Sequence, residues 1–227
     1  MHKKEFFKLA WIFILIFVSC TQNEELEQNF SITSNCGLLG GNDFFGNPLK
    51  KTYYCTISNR EFYIYIPSSY MENNDEEYPL LFSLHGYTSL ALWNLSYTGF
   101  QSIADKEKFI VIYPQGLILN STGETHWNVG GWTIGSKSKD VDFISDLIDW
   151  TKTKYKIDLS RIYSVGMSNG GFMSYHLACN LGDKIAAIGS VTGSMTPETL
   201  ESCKPNHPTP VIQIHGKQDF TVPYSGN

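Results

Sequence analysis

One serine of this chain lies between two glycines, at the junction of an apolar stretch and a helical pattern. The junction reads Gly166-Met167-Ser168-Asn169-Gly170, and the apolar stretch before it spans residues 161–165. Such a tight turn strains the backbone of the serine, and it brings neighbouring segments too close for side chains two residues away on either side. The two glycines remove that clash. The spacing therefore predicts a nucleophile elbow centred on Ser168.

The hydroxyl of a serine is a weak nucleophile until a base takes its proton and donors stabilise the oxyanion that follows. Residues 79–87 read as a buried strand that ends in a His-Gly turn, the usual place for the second donor beside such an elbow. We therefore expect the backbone N–H groups of Asn169 and Tyr87 to form the oxyanion hole. Another apolar strand, at residues 210–216, precedes Asp219, which is the predicted orienting acid.

The catalytic base is the missing member of this set. Triad partners on such a sheet follow in the order Ser, Asp, His, so the base is expected after Asp219. Residues 220–227 contain no histidine, and all six histidines of the chain come earlier. The sequence is therefore interpreted as a fragment, inactive by itself, whose histidine is encoded beyond residue 227. His85 and His215 end strands beside the site, where a structural role is the commoner one, and His85 is also a candidate substrate contact.

Several further motifs occur in a fixed order around the elbow. They are Leu84-His85-Gly86, Trp127-Asn128, Asp140-Val141-Asp142-Phe143-Ile144, Gly166-Met167-Ser168-Asn169-Gly170-Gly171 and His215-Gly216-Lys217-Gln218-Asp219 with Val222-Pro223-Tyr224. From about Thr52 to the last residue, this set resembles the family of polyhydroxybutyrate depolymerases and feruloyl and acetylxylan esterases. The resemblance implies a secreted serine esterase of the α/β-hydrolase fold, with nucleophile Ser168 and acid Asp219.

The alternation of strand and helix patterns agrees with that fold. Strands are predicted near residues 52–57, 61–67, 80–85, 109–113, 161–166, 186–191 and 211–215, and the clearest helix near residues 138–156. This order predicts an α/β architecture with a mostly parallel central sheet and helices on both faces. We expect the last strand and the last helix of the fold to be missing from these 227 residues.

Composition narrows the class of partner. The chain has 227 residues, of which 42% are hydrophobic, enough for one sizeable core. Seventeen basic against 22 acidic residues give a net charge of −5, which argues against a nucleic-acid partner. The expected partner is an ester-bearing polysaccharide or a polyester. No cofactor is expected, and no metal, because neither C-x-x-C nor H-x-x-x-H spacing occurs.

The amino terminus reads as a targeting segment. Three lysines precede a continuous apolar run at residues 9–18, which is too short to span a bilayer. Residues 1–20 are therefore predicted to be a lipoprotein-type signal that ends at Cys20, the candidate lipidation site. This favours a protein that is exported and held at the bacterial outer membrane by a lipid. Residues 21–50 are predicted to be a tether and N-terminal segment, and residues 51–227 the esterase domain.

Export also favours disulfides, because it places the remaining four cysteines in an oxidising compartment. Cys179 ends the elbow helix and Cys203 precedes the acid strand, so these two are expected to pair. Cys36 and Cys55 are then expected to form a second bridge. Four free buried thiols are the alternative.

Residues 116–138 are rich in glycine, serine and threonine and are predicted to form a long loop at the rim of the site, where specificity would lie. Trp127 and Trp132 are candidate substrate-binding residues, because their rings can stack on a sugar or an aromatic acyl group. Packing is the alternative for both.

Two other functions fit parts of the pattern. A peptidase of the prolyl-oligopeptidase type shares the elbow, although the chain has no room for a propeller before the hydrolase domain. A non-catalytic surface lipoprotein that binds polysaccharide, with a relic of the site, is the other alternative.

Overall fold

The computed structural model of the chain describes residues 34–72 and 75–226, and a central β-sheet runs through them. The predicted signal segment and Cys20 lie outside the described residues. The strands are β1 (Ser34–Leu38), β2 (Thr52–Ile57), β3 (Arg60–Tyr65), β4 (Tyr78–Leu84), β5 (Ile110–Pro114), β6 (Leu117–Leu119), β7 (Glu124–His126), β8 (Ile157–Met167), β9 (Ala187–Val191) and β10 (Val211–Ile214).

Eight of these strands form one sheet, in the order β1-β2-β3-β5-β4-β8-β9-β10. The strands β5, β4, β8, β9 and β10 are mutually parallel, whereas β1, β2 and β3 extend the sheet in antiparallel fashion. Between β2 and β3, Ser58 and Asn59 both have positive φ angles, which suits a tight hairpin turn. The prediction of a mostly parallel central sheet is thus confirmed.

Helices lie on both faces of this sheet, as predicted. They are α1 (Ser68–Glu72), α2 (Ala91–Thr98), α3 (Phe100–Glu107), a 3-10 helix (Gly131–Thr133), α4 (Asp140–Lys154), α5 (Asn169–Asn180) and α6 (Pro197–Ser202). Side chains of α4 and α5 share one apolar cluster with Leu80 and Phe82, while side chains of α2 and α3 share another with Leu81. Successive side chains of a strand point to opposite faces, so β4 carries a core on each side.

The folded unit begins earlier than predicted. Strand β1 pairs with β2 along its whole length, and the Cys36–Cys55 disulfide joins the two strands. The Trp150 indole also donates a hydrogen bond of 2.7 Å to the Ser34 hydroxyl. Residues 34–50 therefore belong to the sheet and its flank, ahead of the predicted start of the esterase domain at residue 51.

The second predicted disulfide, Cys179–Cys203, is also present, and it links the end of α5 to the residue after α6. Each bridge closes a loop of about twenty residues, which corresponds to about 3 kcal/mol of stabilisation on the chain-entropy model. Both cysteine pairings are thus confirmed.

The outer strand β10 differs from the rest of the parallel sheet. The side chains of Val211, Ile212 and Ile214 are 45–69% exposed. Beside it, an apolar groove of about 410 Å³ runs over the same sheet face as α2, with Leu81, Val165 and Ile212 among its lining residues. No helix within residues 34–72 and 75–226 is both long and apolar enough to cross a bilayer.

Candidate functional site

Ser168 occupies the turn between β8 and α5. Its φ angle is +52° and its ψ angle −121°, a region that residues other than glycine rarely adopt. The Ser168 N–H donates a hydrogen bond of 2.8 Å to Val191 O at the end of β9, and Ser168 O accepts one of 2.9 Å from the N–H of Phe172. The backbone on both sides of the serine is therefore fixed, and the predicted nucleophile elbow is confirmed as a backbone geometry.

The two glycines of the elbow are required by direct backbone contact. A Cβ on Gly166 would lie 2.3 Å from the carbonyl carbon and oxygen of Gly170. A Cβ on Gly170 would lie 2.2 Å from Leu84 O, at the end of the neighbouring strand β4. Any side chain at either position would force the segments apart, as the sequence predicts.

The segments that carry the two predicted oxyanion donors lie beside the serine. A Cβ placed on Gly86 would be 3.7 Å from the Cβ of Ser168, so the loop after β4 touches the elbow. Among the described residues, no acceptor takes the N–H of Tyr87. Asn169 is the first residue of α5, so its N–H has no intrahelical acceptor. Both amides are thus available to a negatively charged oxygen.

The predicted acid is held in a network of hydrogen bonds after β10. Asp219 Oδ1 accepts hydrogen bonds of 2.9 Å from the N–H groups of Thr221 and Val222, and Oδ2 accepts one from the Thr192 hydroxyl. The Thr192 hydroxyl is the main cause that holds the pKa of Asp219 below its usual range. The carboxylate is therefore charged and oriented at neutral pH.

The serine and the acid lie at the same edge of the sheet. Ser168 follows β8, Thr192 follows β9 and Asp219 follows β10, and these three strands are parallel neighbours. Two strand spacings amount to about 10 Å, a gap that one side chain between them can bridge. This arrangement suits an imidazole placed between a serine and its orienting acid.

His85 was a candidate substrate contact, but the structure contradicts this. Its side chain is completely buried, and its Nδ1 lies 2.7 Å from Gly86 O while its Nε2 accepts a hydrogen bond of 2.9 Å from the Gly116 N–H. Burial lowers the pKa of His85 to about 4. The imidazole is therefore a neutral part of the core, because both ring nitrogens are occupied and no face is open to a ligand.

Trp127 is likewise not a substrate contact, because it is completely buried. Its indole N–H donates to His85 O at 2.9 Å, and its backbone N–H and C=O both bond to the Asn169 side-chain amide, at 2.6 and 3.1 Å. Trp132 differs, since its ring is 46% exposed and packs edge-on against Phe172 with centroids 4.8 Å apart. Of the two tryptophans, only Trp132 can contact a ligand.

Two structural supports of the site were not predicted. Thr192, which holds Asp219, has a φ angle of +53°, an unusual value for a β-branched residue. Asp140, which belongs to one of the ordered motifs, is buried and bonds to Arg60 Nη2, Asn128 N and Ser138 Oγ at 2.7–2.8 Å. It thereby fixes both ends of the 128–138 segment. The pairing with Arg60, 80 residues away, has no local sequence signal.

None of the histidines in the described part of the chain takes the position of a base. His85 and His126 are buried with both ring nitrogens engaged, and His176 bonds to the Thr199 hydroxyl. His215 Nε2 lies 3.8 Å from Asp219 Oδ2, but it is 2.8 Å from Val222 O and its Nδ1 faces Gln213. This ring supports the turn that carries the acid.

Comparison with known proteins gives related families. A family model described as phospholipase/carboxylesterase matches residues 136–227. The chain is 34% identical over 167 residues to a bifunctional acetylxylan esterase/xylanase from Neocallimastix patriciarum, a region that covers 74% of this chain and 22% of that protein. It is 36% identical over 102 residues to feruloyl esterase B from Piromyces equi, covering 44% and 19% respectively. The chain thus spans about a fifth of the length of either relative.

A solved structure agrees with the fold. The acetyl xylan esterase from Aspergillus awamori superposes with a TM-score of 0.57, over 86% of this chain and 76% of that one, at 18% identity. The homologues also include a poly(3-hydroxyalkanoate) depolymerase from Paucimonas lemoignei. The resemblance that the motifs indicate is therefore confirmed. The chain has the α/β-hydrolase fold and is related in sequence to the feruloyl and acetylxylan esterases and to the polyhydroxyalkanoate depolymerases.

Proposed function

We propose that the protein containing this chain is a secreted serine esterase that hydrolyses feruloyl or acetyl esters of xylan. The observation that carries the proposal is the strained Ser168, with two free backbone N–H groups beside it and a charged Asp219 at the same sheet edge. Relatives named acetylxylan esterase and feruloyl esterase support the substrate class. A polyester is the alternative substrate, supported by the depolymerase relative.

In the proposed mechanism, the Ser168 oxygen attacks the ester carbonyl carbon while its proton passes to an imidazole. The oxyanion accepts hydrogen bonds from Asn169 N–H and Tyr87 N–H. The tetrahedral intermediate collapses, the imidazolium returns the proton to the departing alcohol oxygen, and an acyl-enzyme remains. Water, deprotonated by the same imidazole, then releases the acid and restores the serine.

The imidazole is proposed to come from a histidine beyond residue 227. Support comes from Asp219, whose carboxylate is oriented at a sheet edge, and from the described histidines, none of which hydrogen-bonds to the Ser168 hydroxyl. Asp219 would accept the Nδ1–H of that imidazole and fix its tautomer. Activity of the 227-residue chain by itself is expected to be very low, because Ser168 would then have no base.

Trp132 is the proposed contact for the sugar or the aromatic acyl group. It packs on Phe172, which lies one helical turn after Ser168, and nearly half of its surface is open to solvent. An exposed indole supplies a large apolar face for a feruloyl ring or a xylose ring. Replacing Trp132 with alanine is expected to raise KM for a feruloyl ester more than for an acetyl ester.

The assignment is tested by turnover in the full-length protein. Wild type and Ser168→Ala are compared on 4-nitrophenyl acetate, methyl ferulate, acetylated xylan and poly(3-hydroxybutyrate). We expect Ser168→Ala to lose about 10⁴-fold or more in kcat while the fold is retained. Undiminished turnover by Ser168→Ala would refute the nucleophile. Binding of xylan without any ester turnover by wild type would instead support the polysaccharide-binding alternative.

Export with lipid attachment at Cys20 is also proposed. The two disulfides support an oxidising compartment. The test is labelling of the full-length protein with an alkyne-tagged fatty acid in a bacterial host, compared with Cys20→Ser. Equal labelling of both proteins would contradict the assignment of Cys20.

A further inference from the structure

We propose that His85 is a positioning residue that sets the direction of the Tyr87 N–H in the oxyanion hole. The inference rests on the proposed function, because it concerns a donor used only when an ester carbonyl becomes an oxyanion. The role differs from a substrate contact, since the imidazole touches neither ligand nor nucleophile and acts through one peptide group.

The argument begins with the geometry of the Gly86–Tyr87 peptide. His85 Nδ1 lies 2.7 Å from Gly86 O, which also accepts a longer hydrogen bond of 3.2 Å from the Ser89 N–H. This carbonyl belongs to the same planar unit as the Tyr87 N–H. In a trans peptide, the C=O and the N–H point in opposite directions. An imidazole that holds the carbonyl on one side therefore turns the N–H to the other side, where no described residue accepts it.

The tautomer of His85 makes this contact a donated hydrogen bond. Its Nε2 accepts the Gly116 N–H at 2.9 Å, so the ring proton must be on Nδ1, where it is donated to Gly86 O. Burial lowers the pKa of His85 to about 4. The ring thus remains neutral, with its proton on Nδ1, throughout the pH range in which an esterase of this kind would work.

The imidazole is also prevented from turning. Trp127 packs against it with ring centroids 4.9 Å apart and donates its indole N–H to His85 O. Gly116 lies on the other side, where an added Cβ would be 3.1 Å from His85 Cε1 and 2.3 Å from His126 O. The ring is therefore enclosed by groups that are themselves fixed, which makes it a rigid reference for the oxyanion peptide.

Two replacements separate positioning from simple packing. In His85→Asn, the side-chain amide can place a donor close to the position of Nδ1. In His85→Gln it reaches toward the position of Nε2, and Gly86 O keeps only the longer hydrogen bond from the Ser89 N–H. Loss of one oxyanion donor costs about 10²–10³-fold in kcat. We expect His85→Gln to lose roughly 10–100-fold in kcat with KM nearly unchanged, and His85→Asn to recover most of it.

Asn94→Ala is the matched control. The Asn94 side chain is buried and donates to Ser83 O and Ser83 Oγ, at 2.9 and 3.0 Å, so it anchors the same strand without contact to the oxyanion peptide. Asn94→Ala should lower the unfolding temperature about as much as His85→Gln does, while its kcat stays within roughly a factor of two of the wild-type value. An equal loss of kcat in both variants would reduce His85 to a merely structural role and overturn the proposal.

Inhibitor binding and crystallography complete the test. A trifluoromethyl ketone, which forms an oxyanion on the enzyme, should bind more weakly to His85→Gln by the same factor as the loss in kcat, while binding of the product acid stays constant. Crystal structures of the variants need no turnover, and they should show the Gly86–Tyr87 peptide rotated only in His85→Gln. An unrotated peptide would overturn the inference. Equal activity of wild type and Ser168→Ala would instead refute the proposed function.

Discussion

The two halves of the proposed site are held in place by different physical means. Ser168 follows β8, which lies between β4 and β9 in the sheet, and the glycines beside it leave no room for even one methyl group. Asp219 follows the exposed outer strand β10, and hydrogen bonds from Thr192, Thr221 and Val222 orient its carboxylate. Steric exclusion thus acts together with backbone hydrogen bonds to fix the nucleophile, whereas directional hydrogen bonds alone fix the acid.

This difference predicts how each half responds to change. A contact fixed by excluded volume fails when one atom is added, and it is insensitive to pH. A carboxylate that is fixed by several hydrogen bonds tolerates the loss of one of them. Its contribution to the free energy of unfolding depends on its charge, however. The nucleophile side should therefore respond to small additions of volume, and the acid side to pH.

The largest expected effect is that of a methyl group in the elbow. In Gly170→Ala, the new Cβ would lie 2.2 Å from Leu84 O and 2.7 Å from His85 O, both of them backbone atoms. Overpacking of this kind costs about 1–3 kcal/mol or more, and we expect the upper end or failure to fold. The control is Gly216→Ala on the acid side, where a Cβ meets nothing within 4 Å. If both variants unfold at the same urea concentration, the nucleophile side is no more sensitive to added volume than the acid side, and the proposed difference is wrong.

A second effect concerns the covalent link between the two halves. The Cys179–Cys203 bridge joins the elbow helix to the segment that leads to the acid strand. Replacing both cysteines with alanine should lower the free energy of unfolding by about 3 kcal/mol on the chain-entropy model. Removing Cys36–Cys55 should cost a similar amount, because the loops have similar lengths. Urea unfolding of both variants without reductant measures the two costs, and a negligible loss for either bridge would show that this model fails here.

The geometry of the elbow and both disulfides could be predicted from the sequence because each has a local or compositional signal. The glycine spacing around Ser168 reflects a backbone contact that no other residue permits. Most of the strands and the helix near residues 138–156 were predicted within a few residues, since their apolar periodicity is strong. Strand β1 was missed because Ser34–Leu38 has no such periodicity and forms only by pairing with β2.

The errors in the site have one cause. A sequence shows that His85 and Trp127 lie near the end of a strand or in a loop, but not whether their side chains point into the cleft or into the core. That choice depends on partners that are distant in the sequence. The Gly116 N–H donates a hydrogen bond to His85 Nε2, and the Asn169 side-chain amide bonds to the backbone of Trp127. Thr192 was missed for the same reason, because its partner Asp219 is 27 residues away.

The acid side should respond to pH through Thr192. Because the pKa of Asp219 is lowered in the folded state, its stabilising effect is present above the ordinary pKa of 3.8 and is lost as pH falls through the lowered value. Thr192→Val removes the main cause, so the pKa should rise toward its ordinary value. The variant should then be less stable than wild type at pH 7, and this difference should shrink as pH falls below 3.8. Thr192→Ser, which keeps the hydroxyl, should resemble wild type.

Two measurements check this expectation: urea unfolding at pH 7 and at a series of lower pH values, and NMR titration of the Asp219 carboxyl carbon. An unchanged pKa of Asp219 in Thr192→Val would mean that the backbone donors Thr221 and Val222 alone orient the acid. The backbone of the turn at residues 219–222 would then orient the acid, just as backbone contacts hold the elbow.

The smallest effect is expected at the outer strand. Ile212 is 69% exposed on β10, so in the 227-residue chain Ile212→Lys should change the free energy of unfolding by no more than about 0.5 kcal/mol. Exposed apolar edge strands invite pairing with other chains, and a lysine there blocks it. The variant should therefore lower self-association in sedimentation velocity at high protein concentration. Ile162→Lys, on the buried part of β8, is the contrasting variant and should not fold. A large loss of stability in Ile212→Lys would mean that β10 is packed as tightly as the elbow strand, and the contrast between the two halves would then disappear.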